Sequence, residues 1–221
     1  MATVIAVRGN AEERIDPELG AVSLSVGVSE SQRDLAVART TEAHEQLIAA
    51  VRELEASGAL DTWSAGQLRV WSHRPWNAEG KQLPMVHQTS AEIEVIFTDL
   101  EKLGEWVSRV SIGSSVALGG IDWRLTDATR KRTEESAQRA AVADAVAKAA
   151  IYASALGLGT PSPVELADTG LLTAQPVPPG GGERMFAMRA AADTSGGGAQ
   201  FTPAKLVIAA SVDARFSAEP A

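Results

Sequence analysis

Cysteine is absent from the 221 residues, which excludes disulfides, thiolate metal sites and cysteine nucleophiles and leaves the redox compartment undetermined. Histidine is scarce. His44, His73 and His87 fall in a helical stretch, a loop and a strand start, without the short ligand spacings of a zinc site, so neither a metal nor a cofactor is expected. No run of Lys or Arg supplies a basic face, and the formal net charge is −8 with a pI near 5.0. Binding through phosphates is therefore not expected, and nucleic acid is left out as a partner. The densest basic cluster, Arg130-Lys131-Arg132, runs straight into Glu134-Glu135 and reads as a solvated helix face with paired charges. No window reaches the roughly 18 consecutive apolar residues that span a bilayer. No Gly-x-Ser-x-Gly elbow occurs, and the glycine triplets lack the Lys-Ser/Thr of a phosphate loop. The opening apolar patch has no basic region before it and runs into strand-like sequence, so it does not read as an intact secretory signal. A cytoplasmic protein is expected as the sequence stands, and a periplasmic or cell-envelope one if a leader was removed.

What is present is an apolar share of 45%, enough for a sizeable core. The length suits one large domain or two intimately joined halves. Val4 to Ile15 and Ala21 to Ser29 read as strands, the second with Val22, Leu24, Val26 and Val28 alternating against small polar residues. Pro17 and Gly20 between them predict a hairpin. Ser31 and Asp34 form a capping box for a helix carrying Ala36, Ala43, Leu47, Val51 and Leu54 on one face, stopped by Ser57-Gly58. Leu60 to Ser72 is a third strand region, His73 to Pro84 a loop or long hairpin tip, and His87 to Phe97 a strand. In that strand Ala91, Ile93, Val95 and Phe97 face one way, Glu92 and Glu94 the other. Asp99 caps a short helix with Leu100, Leu103, Val107 and Val110 as its stripe, and Leu118 to Leu125 is a short strand.

A long alanine-rich helix follows, capped by Thr126 or Asp127 and stopped by Gly157; about 30 residues give about 45 Å. Val142, Val146, Ala149, Ala153 and Leu156 make a heptad-like seam, widened by Ala137, Ala140, Ala141, Ala145 and Ala150. A short strand at Val164 to Ala167 and a closing strand with Leu206, Ile208, Ala210, Val212, Ala214 and Phe216 on one face complete the pattern. Between them, about 169–200 is rich in Pro and Gly and reads as a flexible insertion. The fold class expected is α+β, a twisted antiparallel sheet with helices packed on one face, in a single domain spanning 1–221.

Three stretches resemble the SIMPL domain family in the right order. They are Val7-Arg-Gly9 through Pro17-Glu18 with the strand at Ala21 to Val28, the helical stretch Leu125 to Gly157, and the closing strand from Pro203 to Phe216. The segment Val86-His-Gln-Thr-Ser90 departs from the aromatic-containing segment that the family often has before its central strand. The resemblance implies long strands with helices on one side and a tendency to form ring-like or channel-like homo-oligomers. It also implies relatives in the bacterial envelope or periplasm with general roles in stress tolerance, and a mammalian signalling adaptor. It carries over no catalytic residue. Glu92 and Glu94 could be drawn as an acid/base pair, but the solvent side of a half-buried strand accounts for them better. Of Trp63, Trp71, Trp76, Trp106 and Trp123, most suit core or interface anchoring. The expected function is a non-enzymatic, homo-oligomeric scaffold, with Trp76, Trp71, Ala141 and Ala145 as contacts between copies or with a partner. The alternative is a small-molecule or peptide binding module using a cleft beside 169–200.

Overall fold

The computed structural model describes residues 1–78, 81–172 and 203–221. Most of the Pro/Gly-rich insertion, and with it the cleft expected beside it, lies outside the described residues. The chain divides into two compact units. One contains residues 1–16, 125–172 and 205–221; the other is built mainly from 17–124. Both mix helices with antiparallel strands, which is the α+β class.

In the first unit β1 (Thr3–Ile15) does not turn back onto its neighbour in sequence. It pairs along its whole length with the closing strand, from Thr3 opposite Ala218 to Ile15 opposite Leu206. The hairpin predicted at Pro17-Gly20 is thus overturned: that connection carries the chain from one sheet to another. The physical reason is register. Ile5 meets Phe216, Val7 meets Ala214 and Gly9 meets Val212, so two apolar faces join into one surface.

The second unit begins with β2 (Leu19–Val26) and a short β3 (Ser29–Glu30). Helix α1 (Arg33–Ala56) follows, with Gln32 rather than Ser31 at its N-cap and no side-chain cap bond. The capping box is therefore absent. The helix start is tied instead by the Arg39–Glu30 ion pair, because β3 is held against another strand. Gly58, at φ +73, stops α1 as expected, with Ala59 N–H reaching back to the Leu54 carbonyl at 3.2 Å. The third strand region is split into β4 (Leu60–Ala65) and β5 (Arg69–His73), both pairing with β6 (Val86–Phe97). Asp99 caps α2 (Leu100–Val110) by accepting from Glu101 and Lys102 N–H at 3.1 and 3.0 Å. Next, β7 (Val116–Arg124) pairs with β2.

Alternation places Val22, Leu24 and Val26 beside Ile93, Val95 and Phe97 on one face, where Leu47 and Val51 of α1 and Leu103, Trp106 and Val107 of α2 bury them. Trp63 and Trp123 pack at the margin of that core, and the Phe97 and Trp106 rings lie 5.3 Å apart. The non-directional burial of these side chains is what holds helices to sheet.

The chain then returns to the first unit through α3 (Asp127–Ala155), capped by Thr126 and stopped by Gly157 at φ +69. The sheet is completed by β8 (Ser162–Asp168) and β9 (Leu206–Ala218), in the order β1-β9-β8. The buried side of α3 is a row four residues apart: Ala137, Ala141, Ala145, Ala149 and Ala153. All five belong to the predicted seam, which is corrected at Val146 and Leu156 and at Ala140 and Ala150, all exposed. The cause is the depth of contact. A Cβ added at Gly9 would stand 2.0 Å from the Ala141 carbonyl oxygen and 2.8 Å from the Ala145 nitrogen. At that distance only a methyl group fits between helix and strand, so the larger side chains turn outward.

Candidate functional site

Two of the four residues singled out as contacts stand together on one substructure. Strands β5 and β6 form an arm, with Arg69 opposite Ser90 at its root and His73 opposite Val86 toward its tip, and the short β3 lies against β6 at Gln88 and His87. The arm begins where β2 ends, at Val26 opposite Ala91. Its root is fixed. Thr89 Oγ1 lies 2.5 Å from the buried hydroxyl of Thr40 in α1 and 3.1 Å from the Val28 carbonyl, and a Cβ at Gly27 would meet the Thr89 carbonyl oxygen at 2.2 Å. Farther out, the Ser72 hydroxyl and His87 Nδ1 lie 2.6 Å apart. Trp71 is 44% exposed and Trp76 86%, and Leu68 and Met85 also stand open to solvent.

The other two residues do not join them. Ala141 and Ala145 are fully buried beneath β1 of their own chain. They present no surface to a partner, because the same small size that suggested a contact between copies serves the contact with Gly9.

The first unit has a different open surface. Among the described residues β8 pairs only with β9, leaving one backbone edge unpaired. Val164 and Leu166 on this strand are 63% and 56% exposed, and Ile151, Tyr152 and Leu156 are exposed at the end of α3. The edge of β1 is treated otherwise. Asp144 of α3 accepts from Asn10 N–H at 2.8 Å, and Lys148 Nζ donates to Asp144 at 2.6 Å and to the Arg8 carbonyl at 2.9 Å. The Lys148 and Asn10 bonds hold the Asp144 carboxyl below the usual carboxylate range.

An ion pair that sequence reasoning missed lies on the sheet face away from α3. Arg8 binds Asp213 with Nε at 2.7 Å and Nη2 at 3.1 Å, and Gly170 N–H donates to the same carboxylate at 2.9 Å. Asp213 is 9% exposed. The Arg8 bond first, then the Gly170 N–H, holds its carboxyl below the ordinary range. With Thr169 Oγ1 donating to the Ser211 carbonyl and Arg215 to the Leu172 carbonyl, this network fastens the chain leaving β8 across β9. Arg8 and Asp213 are direct register partners, a relation that only the β1–β9 pairing reveals.

Glu92 is exposed and Glu94 half-buried, alternating along β6 with the buried Ala91, Ile93 and Val95. Glu94 accepts from Arg124 at 3.3 Å, and Arg124 also binds Asp122 at 2.7 Å; the Asp122 bond chiefly raises the guanidinium pKa. The three histidines are spread over α1, β5 and β6, and no group of three or more His, Asp or Glu converges among the described residues. A depression of about 380 Å³ is bordered by Glu135, Gln138, Arg139 and Val142. These all belong to α3 and make one wall, whereas a small-molecule site encloses its ligand between converging groups.

No curated protein matches the chain. The SIMPL family, described as a protein of unknown function (DUF541), matches it over residues 5–216. That span takes in the paired first and last strands, the arm and the alanine-striped helix, and the chain belongs to the SIMPL family.

Proposed function

We propose that this SIMPL-family chain is a non-enzymatic scaffold that works as a homo-oligomer. The observation that carries this reading is the edge of β8 that no strand covers among the described residues, with Val164 and Leu166 exposed along it. A strand edge offers a row of unpaired N–H and C=O groups, and folds that stay monomeric blunt such edges with charge, prolines or a covering element. Here the β1 edge is covered by Asp144 and Lys148, while among the described residues the outer edge of β8 pairs with no strand and exposes Val164 and Leu166 beside Pro163 and Glu165. Adding a strand from another copy would pair the backbone and bury those side chains together. A link to stress tolerance belongs to the same proposal and is supported by the family resemblance alone.

Size-exclusion chromatography with light scattering on the full chain tests the reading. The expected result is a discrete mass that is a multiple of the 23.1 kDa protomer. It should fall toward the protomer in the double variant Val164→Lys/Leu166→Lys. A protomer mass at every soluble concentration would sink the assembly claim.

A further inference from the structure

The β5–β6 arm differs from the rest of the molecule in charge. Residues 66–88 carry Arg69, Arg74 and Lys81 against the single carboxylate Glu79, a net of +2 that leaves −10 on the remainder of a chain whose formal total is −8. The arm also exposes Trp71 and Trp76, alternating along the chain with Arg69 and Arg74. Tryptophan and arginine are the residues in which interface binding energy concentrates, since each buries a large area with few rotatable bonds or forms several directed hydrogen bonds. The root of the arm is held by Thr89, Thr40 and Gly27, so its strands are ordered before any partner arrives and little ordering entropy is lost on docking.

We infer that this arm, through Trp71, Trp76, Arg69 and Arg74, docks on an acidic surface of a second copy of the same chain. The inference rests on the homo-oligomer reading and adds to the β8 edge a second, independent contact between copies. Charge selects the target. Two arms of +2 repel each other, whereas an arm and the rest of a neighbouring copy, at −10, attract. The indoles then supply apolar burial that the solvent-exposed arm lacks in the free chain. An arm docking on a different surface of its neighbour can be reciprocated in a closed pair or repeated around a ring.

Sedimentation equilibrium on the full-length chain tests this with three proteins: wild type, Trp71→Ser/Trp76→Ser and Arg69→Glu/Arg74→Glu. All three should keep the same far-UV circular dichroism, because the substituted side chains are outside both cores. Wild type should self-associate, the tryptophan variant should weaken association at least about tenfold, and the arginine variant should weaken it most at low ionic strength. Wild-type association that is unchanged in both variants overturns the arm as the contact while leaving the homo-oligomer reading standing. A wild type that remains a protomer overturns both. Binding to phosphatidylserine vesicles that is lost in the tryptophan variant, with no arm-dependent self-association, would overturn the inference in favour of a lipid surface.

Discussion

Two single residues set the geometry of the first unit. Gly9 is there because α3 needs the space of a side chain, not because the backbone turns. With the Ala141 oxygen 2.0 Å from where a Cβ would stand, Gly9→Ala must push helix and strand apart. It should cost about 1–3 kcal/mol, the range for overpacking a filled core, read as a lower urea midpoint at an unchanged slope. Asp213 acts electrostatically. Its folded-state pKa is depressed by Arg8 and Gly170, so its contribution is full above the unfolded pKa, about 4, and is lost as pH falls through the folded value. Asp213→Asn should cost about 1–2 kcal/mol at neutral pH, trimmed by the half-exposed Arg8. Thermal melts of both proteins should converge as pH drops below about 4; a gap unchanged at pH 2 would assign the effect to packing instead. Arg8 and Asp213 are 205 residues apart in the chain. No local signal announces such a pair, which is why it is invisible until β1 is known to lie beside β9.

Among the elements, those with strong local signals are readable from sequence and those defined by distant partners are not. Asp99 and Thr126 cap the helices they were expected to cap, and Gly58 and Gly157 stop theirs, since caps and stops are contacts within a few residues. The orientation of α3 was not readable in the same way. A helix in which alanine occurs on every side has little contrast in polarity around its axis, so Val146 and Leu156 read as part of the seam although they face solvent, while Val142 packs at the margin of the buried row. The buried row runs through every fourth residue, inclined about 26° to the helix axis. A matched pair of substitutions separates the two assignments. Ala145→Leu should destabilise by about 1–3 kcal/mol, whereas its neighbour Val146→Glu should change stability by less than about 0.5 kcal/mol. Equal costs in chemical denaturation would contradict the burial pattern. The arm was partly readable: a polar, proline-bearing stretch around Trp76 implied exposure, and Trp71 and Trp76 are indeed both exposed. The rigid root at Thr89 and Thr40 was hidden, because it needs β6 and α1 to be brought together.

For the whole molecule the decisive feature is where the chain enters and leaves its second unit. Leu19 at the start of β2 is the register partner of Arg124 at the end of β7, and Glu18 N–H donates to the Arg124 carbonyl at 3.0 Å. The stretch 17–124 is thus a closed insertion whose two ends are already joined by the sheet. The first unit is the reverse case: β1 and β9 must find each other across nearly the full chain length. This is the physical reason that a turn signal at Pro17-Gly20 misled. The local residues favour a reversal, but the connection links two units rather than two paired strands. A folding order follows, because long-range pairing carries a larger closure entropy than the local pairings within 17–124. Residues 17–124, expressed alone, should give dispersed amide resonances and a cooperative urea transition, since their core of Val22, Leu24, Val95, Phe97, Val51 and Leu103 is internal to the stretch. Deleting 206–221 from the full chain should abolish the β1–β9 sheet yet leave the resonances of Val95 and Leu103 in place. An unfolded 17–124 fragment would refute this order and would mean that its strands form only after the ends of the chain have met.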